Sequence, residues 1–200
     1  MIIDNHLALT EYLNKPNQIK PKLLLHACCA PCSSYVLEYL KDAFDITIYF
    51  YNPNIDSEEE YEKRYNDFQK LGGYKIIKAD YNPQAFLDIS RGLENVPEGG
   101  IRCWGCYEER LESTAIFANQ NGFDYFTTTL SISPYKNSNK INEIGQNLAS
   151  IYDIKFLYSN FKKNDGYKKS ILLSNQLGLY RQDYCGCQYS INERNQKKSS

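Results

Sequence analysis

The sequence predicts a single α/β domain: a five-stranded parallel sheet flanked by helices, with its functional site at the carboxyl ends of the strands. Three observations carry this. Five short apolar runs stand at intervals along the chain, stretches with helix signals separate them, and no repeat, low-complexity tract or Pro/Gly-rich linker divides them. Strands alternating with helices of this length imply right-handed βαβ crossovers and a parallel sheet. A chain of 200 residues buries roughly 70% of the surface its unfolded form exposes, enough for one core.

Residues 1–20 read as an N-terminal helix or arm ahead of a domain spanning 21–191. "KLLLHAC" (22–28) is the first strand, and Ser33 or Ser34 is placed to cap a helix over 35–42. "ITIYFYN" (46–52) is the second strand, after which Ser57 opens the acidic helical turn "SEEEYEKRY". "YKIIKA" (74–79) is the third. Cys103 and Cys106 open a long helix that "YEERLESTAIFANQN" carries to Gly122. "YFTTTL" (125–130) and "IKFLY" (154–158) complete the sheet, "KKSILLSNQLG" (168–178) gives the last helix, and 192–200 reads as a flexible tail.

Apolar residues at 42% and charged residues at 24% are ordinary for a soluble protein, although tyrosine, at 18 copies, is abundant. The formal charge of −1 excludes a protein that is basic all over, so any nucleic-acid contact must come from a local patch. No run is long and apolar enough to span a bilayer, and the first twenty residues lack the pattern of a secretory signal. A cytoplasmic protein without membrane contact is expected.

Seven cysteines fall into three groups: Cys28, Cys29 and Cys32 in "HACCAPCSS", Cys103 and Cys106 in "CWGC", and Cys185 and Cys187 in "CGC". An odd number in a reducing compartment argues against a disulfide framework, and the clustering argues for metal or redox chemistry. Two groups stand at helix starts, where free backbone N–H groups favour thiolate. In a parallel sheet the loops beyond the strand ends meet at the point where strand order reverses, so the three groups can share one mouth. The residues leave three readings open. Two Cys pairs can close a zinc tetrahedron, "CAPC" can act as a thioredoxin-like pair, or four thiolates can hold an iron–sulfur cluster while three complete a neighbouring metal site.

Five blocks in order, "LLLHACCAPCSS", "YFYNPNIDSEEEYEKR", "RCWGCYEERL", "FTTTLSISPYKN" and "GLYRQDYCGCQYS", resemble the epoxyqueuosine reductase family of the cobalamin-independent, iron–sulfur type. The resemblance runs from about Lys22 to Ser190. It implies a small Rossmann-like domain related to the adenine-nucleotide hydrolases. The implied reaction reduces epoxyqueuosine to queuosine at the wobble position of tRNA, the last step of queuosine synthesis. Cysteines stand where the nucleotide-hydrolase loop "SGGxDS" would follow the first strand, so no ATP use is expected. The implied cofactors are a 4Fe-4S cluster and an adjacent iron, without cobalamin, with electrons from a donor such as flavodoxin or ferredoxin.

Removing the epoxide oxygen as water consumes two electrons and two protons. Seven thiolates suit four ligands on a cluster and up to three on an iron able to polarise the C–O bond. Tyr184 and His26 are the titratable groups nearest the thiols in sequence and are the candidate proton donors, although a strand-end histidine is also readily satisfied by backbone. For tRNA, "NFKKNDGYKKS" supplies Lys162, Lys163, Lys168 and Lys169, while Arg102 and Arg181 flank two thiol pairs. Asn52, Asn54, Ser133 and Tyr135 lie at strand ends, where a modified base would enter. The alternatives are a structural zinc-binding nucleic-acid module and a thiol-redox or sulfur-transfer enzyme acting on nucleotides.

Overall fold

A computed structural model describes residues 19–198. All but two residues of the expected N-terminal arm lie outside the described residues. Five strands, β1 (Lys22–His26), β2 (Asp45–Phe50), β3 (Lys75–Lys78), β4 (Tyr125–Thr128) and β5 (Lys155–Phe156), form one parallel sheet in the order β3-β2-β1-β4-β5. The α-helices are α1 (Ala30–Leu40), α2 (Glu58–Asn66), α3 (Pro83–Ser90), α4 (Ile101–Gln120), α5 (Ser138–Ile151), α6 (Gly166–Gln176) and α7 (Gln188–Lys198). Among the described residues, no helix is long and apolar enough to cross a membrane.

Alternation along the strands divides the apolar residues between two faces. Leu23 and Leu25 of β1 and Ile46, Ile48 and Phe50 of β2 pack under Val36, Leu37 and Leu40 of α1. Leu24, on the opposite face, joins Phe126 of β4 beneath Leu111 and Ala115 of α4 and Ile141, Ile144 and Leu148 of α5. Leu23, Leu24 and Leu25 are fully buried, each contributing about 1.5–3 kcal/mol. β1 is therefore the centre of both cores. Covered on both faces, it reads as an unbroken apolar run rather than an alternating one.

Three boundaries differ from expectation. α1 begins at Ala30, because extended Cys29 is its N-cap and Pro31 stands in its first turn. The hydroxyls of Ser33 and Ser34 instead donate back to the carbonyls of Cys29 and Pro31, inside the helix. β5 shrinks to two residues and is met closely by α5, where a Cβ on Gly145 would lie 2.4 Å from the Phe156 ring. The segment expected to form a tail is helical as far as Lys198 and is pinned by its side chains. Glu193 accepts the Glu98 N–H at 2.9 Å and Arg194 pairs with Asp183 at 2.6 Å.

Ser57 behaves as expected, accepting the Glu60 N–H at 3.2 Å as the N-cap of α2. The Glu60 carboxylate does not return to the cap. It turns to Arg64, 2.7 Å away, and so helps hold the loop that carries Cys185.

Candidate metal centre

Strand order reverses between β1 and β4, whose last register pair is His26 and Thr128. Cys28, Cys29 and Cys32 gather just beyond it, with their Sγ atoms all within 4.8 Å of one another. Thr129, the first residue past β4, fixes the loop: its Oγ1 accepts the Cys28 N–H at 3.3 Å and lies 3.6 Å from Cys28 Sγ. Hydrogen bonds from the Cys29 and Cys32 thiols pull the Cys28 thiol well below its ordinary range, against the effect of burial. The contact with Cys28, aided by burial, pushes Cys29 up to about 12 and Cys32 up as well. Of the three, Cys28 is the thiol whose surroundings favour the anion.

The other four cysteines line a second pocket. Cys103 and Cys106, on the first turns of α4, face Cys185 and Cys187 across a space also lined by Phe86, Tyr107 and Arg110. The Gly99 N–H points at Cys103 Sγ from 3.3 Å. Burial raises Cys103 and Cys187, and carries Cys106 to about 12. All seven cysteines are free. Among the described residues, only the Cys28 trio brings three or more metal-ligating atoms within 4.8 Å of one another. A zinc tetrahedron with Zn–S bonds near 2.3 Å needs S–S separations of about 3.8 Å. Among the described residues, no three thiols of the second pocket all lie within 4.8 Å of one another.

Positive charge surrounds both sets. Arg110, one turn beyond Cys106 on α4, is 1% exposed. Its Nε donates to the Cys106 carbonyl at 3.0 Å and its Nη1 to Asn52 Oδ1 at 3.5 Å. Lys136 reaches in from the loop after β4, with Nζ 3.4 Å from Cys185 Sγ. Burial works to lower the pKa of both cations, but the surrounding thiols prevail and hold them above their ordinary values. Arg64 Nη1 donates to the Cys185 carbonyl at 3.0 Å, fastening the "CGC" loop to α2.

The remaining predicted residues divide sharply. His26 is fully buried, with Nε2–H donating to the Tyr51 carbonyl at 3.0 Å and Nδ1 accepting from the Thr128 hydroxyl at 2.8 Å. Burial, then Arg110, lowers its pKa to about 3. It is a strut between strands, with both ring nitrogens engaged. Asn52 is also a brace, donating from Nδ2 to the Ala27 carbonyl at 2.9 Å. Asn54, 2% exposed, lines the four-thiol pocket with Oδ1 unpaired among the described residues.

Arg102 is turned inward rather than toward a phosphate: it is 2% exposed and its Nη1 donates to the carbonyls of Leu93, Glu94 and Val96. Arg181 donates to Ser174 Oγ at 3.2 Å, tying the chain beyond α6 to that helix. The four lysines do not share a helix face, since Lys162 and Lys163 precede α6. Lys162 donates to the Lys136 carbonyl at 2.6 Å, whereas Lys168 and Lys169 are exposed. Tyr135 is 77% exposed on the loop that carries Lys136, and Ser133 Oγ accepts its N–H at 3.3 Å. Tyr184, half-buried over Arg64, has its phenol raised to about 12, by burial first.

Sequence reasoning missed Arg110, Lys136 and Arg64. The usable signal for Arg110 was its place four residues after Cys106, on the same helix face. Lys136 and Arg64 lie inside quoted blocks but have no such spacing to a thiol.

A parallel sheet whose switch point carries clustered free thiols defines a Rossmann-like α/β domain with a candidate metal site. The family model described as "Epoxyqueuosine reductase QueH" matches residues 23–193, and the chain belongs to that family. An epoxyqueuosine reductase QueH from Staphylococcus epidermidis is 46% identical over 182 residues, covering 86% of this chain and 76% of its own. The homologue from Thermotoga maritima is 36% identical over 181 residues, with coverage of 88% and 93%. In fold, the chain is similar to U34-tRNA thiolase NcsA from Methanococcus maripaludis with its [4Fe-4S] cluster. That match has a TM-score of 0.53 and 15% identity, covering 99% of this chain and 74% of that one. A predicted subunit of tRNA methyltransferase from Methanocaldococcus jannaschii gives a TM-score of 0.56 at 13% identity, covering 86% and 88%.

Proposed function

We infer that the chain is an epoxyqueuosine reductase, converting epoxyqueuosine to queuosine at the wobble position of tRNA by two-electron removal of the epoxide oxygen. The observation that carries the finer reading is the division of seven free thiols into a compact trio and a wider set of four. Cys103, Cys106, Cys185 and Cys187 would hold a 4Fe-4S cluster, and Cys28, Cys29 and Cys32 a single iron. The fold they share with a cluster-bearing tRNA thiolase supports this reading. The metals, when bound, supply the electrons and the Lewis acidity that polarises the epoxide C–O bond.

The protein's own groups do the rest. Thr129 and Asn52 hold the first thiol loop against β4 and α4, so the trio keeps its geometry. Phe86 and Tyr107 wall the second pocket with apolar surface and exclude water. Tyr184 Oη keeps its proton at neutral pH and is the proton source we assign. Exposed Tyr135 offers a ring on which a base can stack, and Lys168 and Lys169 offer charge for phosphates. The electron donor would be a flavodoxin or a ferredoxin.

The test is anaerobic. Protein loaded with iron and sulfide, then reduced, is incubated with epoxyqueuosine-containing tRNA, and the nucleoside product is measured by mass for loss of one oxygen. Alanine at Cys103, Cys106, Cys185 or Cys187 should remove labile sulfide. Alanine at Cys28, Cys29 or Cys32 should abolish turnover while sulfide is retained. Turnover by iron-free protein would overturn the metal reading, and parallel loss of sulfide in all seven variants would overturn the two-site division.

A further inference from the structure

Most buried cations in this molecule are matched. Arg64 pairs with Glu60 at 2.7 Å, and Arg102 has three carbonyls on one nitrogen and lies 3.9 Å from Glu193. Arg110 is different. It meets no carboxylate among the described residues, and its Nη2, like Arg64 Nη2 and Arg102 Nε, has no hydrogen-bond partner there. Enclosing an unmatched guanidinium costs several kcal/mol, so such a charge persists only where an anion answers it. The thiols that face it are Cys106 and Cys185 of one set and Cys28 of the other. Lys136, on a separate loop, aims its ammonium at Cys185 from 3.4 Å and also acts on Cys28. Two cations from different elements thus stand among the two thiol sets.

We propose that Arg110 and Lys136 are positioning residues that set the reduction potential of the four-thiol site, by fixing beside it two positive charges that pair with no carboxylate among the described residues, although Glu98 also lines that pocket. The proposal rests on the iron–sulfur reading above. An electron delivered to that site adds negative charge in a pocket walled by Phe86 and Tyr107. In such a pocket, poorly screened by water, a nearby fixed cation favours the reduced state over the oxidised one. The backbone holds both charges in place before the electron arrives, since Arg110 is bonded within its own helix and to Asn52, and the Lys136 carbonyl is bonded by Lys162.

The experiment measures the midpoint potential of the full chain, loaded anaerobically with iron and sulfide, by EPR-monitored redox titration. Lys136→Met and Arg110→Met should each disfavour the reduced state at least tenfold, a fall of about 59 mV or more for one electron. Lys136→Arg and Arg110→Lys should recover most of that fall. Iron and labile sulfide should match the parent in every variant. If Arg110→Met does not fold, Arg110→Gln is the neutral variant read in its place, and Lys136→Met decides the lysine's part. Parental potentials in fully loaded Met variants would overturn the proposal. So would loss of labile sulfide from Lys136→Met, which would make the lysine a structural support. Failure of the parent chain to take up sulfide would instead overturn the metal reading itself.

Discussion

Gly186, between the last two thiols, gives the sharpest test of how the metal pocket is held. Its φ of +128° is open to glycine and strained for other residues. A Cβ there would sit 3.0 Å from Arg64 Nη1 and 3.3 Å from Ile55 Cγ1. Gly186→Ala therefore meets two costs. Backbone strain is about 1–3 kcal/mol. Displacing Arg64 from the Cys185 carbonyl weakens a buried charge-assisted bond of about 1.5–3 kcal/mol. Arg64 can yield partly along its own length, so the sum should fall at about 2–4 kcal/mol. At about 2–4 °C per kcal/mol for a domain of this size, the Tm of the metal-free protein should drop by about 5–15 °C. Gly178→Ala is the control, because its φ of +59° is also left-handed but nothing lies within 4 Å of the added methyl. Circular dichroism melts of both variants, with anaerobic iron uptake, separate the terms. If Gly186→Ala melted with Gly178→Ala and took up iron fully, the idea that Arg64 clamps the thiol loop would be wrong.

Two further outcomes are expected. His26 stays neutral to about pH 3, whereas in the unfolded chain it protonates near 6.5. In that window only the unfolded chain takes the proton, so stability falls as pH falls, with a slope of about 1.36 kcal/mol per pH unit from this group. His26→Gln should remove that slope from the metal-free protein and leave the shape of the pH–rate profile unchanged. A rate limb near 6.5 that vanished with the histidine would make it a proton donor. Replacing exposed Lys168 and Lys169 with alanine should flatten the dependence of log affinity for tRNA on log salt by roughly 0.7–0.9 per lost phosphate contact. An unchanged slope would return both to a solvated face, with Lys168 kept by Asp165 at 3.0 Å.

The sheet was legible because its signal is local. Leu23, Leu24 and Leu25 must be covered on both sides, and only a central parallel strand offers that. The start of α1 was misread because serine was weighed as a cap while Pro31, the better mark of a first turn, was passed over. The helix at 188–198 was hidden for a related reason. Its polar sequence carries little periodicity, and bonds from Glu193 and Arg194 to distant residues hold it.

The thiols show where local reading stops. Spacing marked three groups of candidate ligands and left zinc, redox and iron–sulfur readings open, because cysteines two or three positions apart can converge on one centre whatever the rest of the chain does. Which groups share a pocket depends instead on topology. Cys103 and Cys106 meet Cys185 and Cys187 only after the chain has passed through β4, β5 and α6. The charges between them are harder still. A lone arginine on a helix, or a lysine in a polar loop, has the same local sequence whether it faces water or thiolates, and the solvated reading is the more common. The physical mark is burial without a carboxylate, as at Arg110. Burying such a charge is unfavourable for folding on its own, and the groups that offset it, Cys106, Cys185 and Cys28, come from separate parts of the chain that only the fold brings to it.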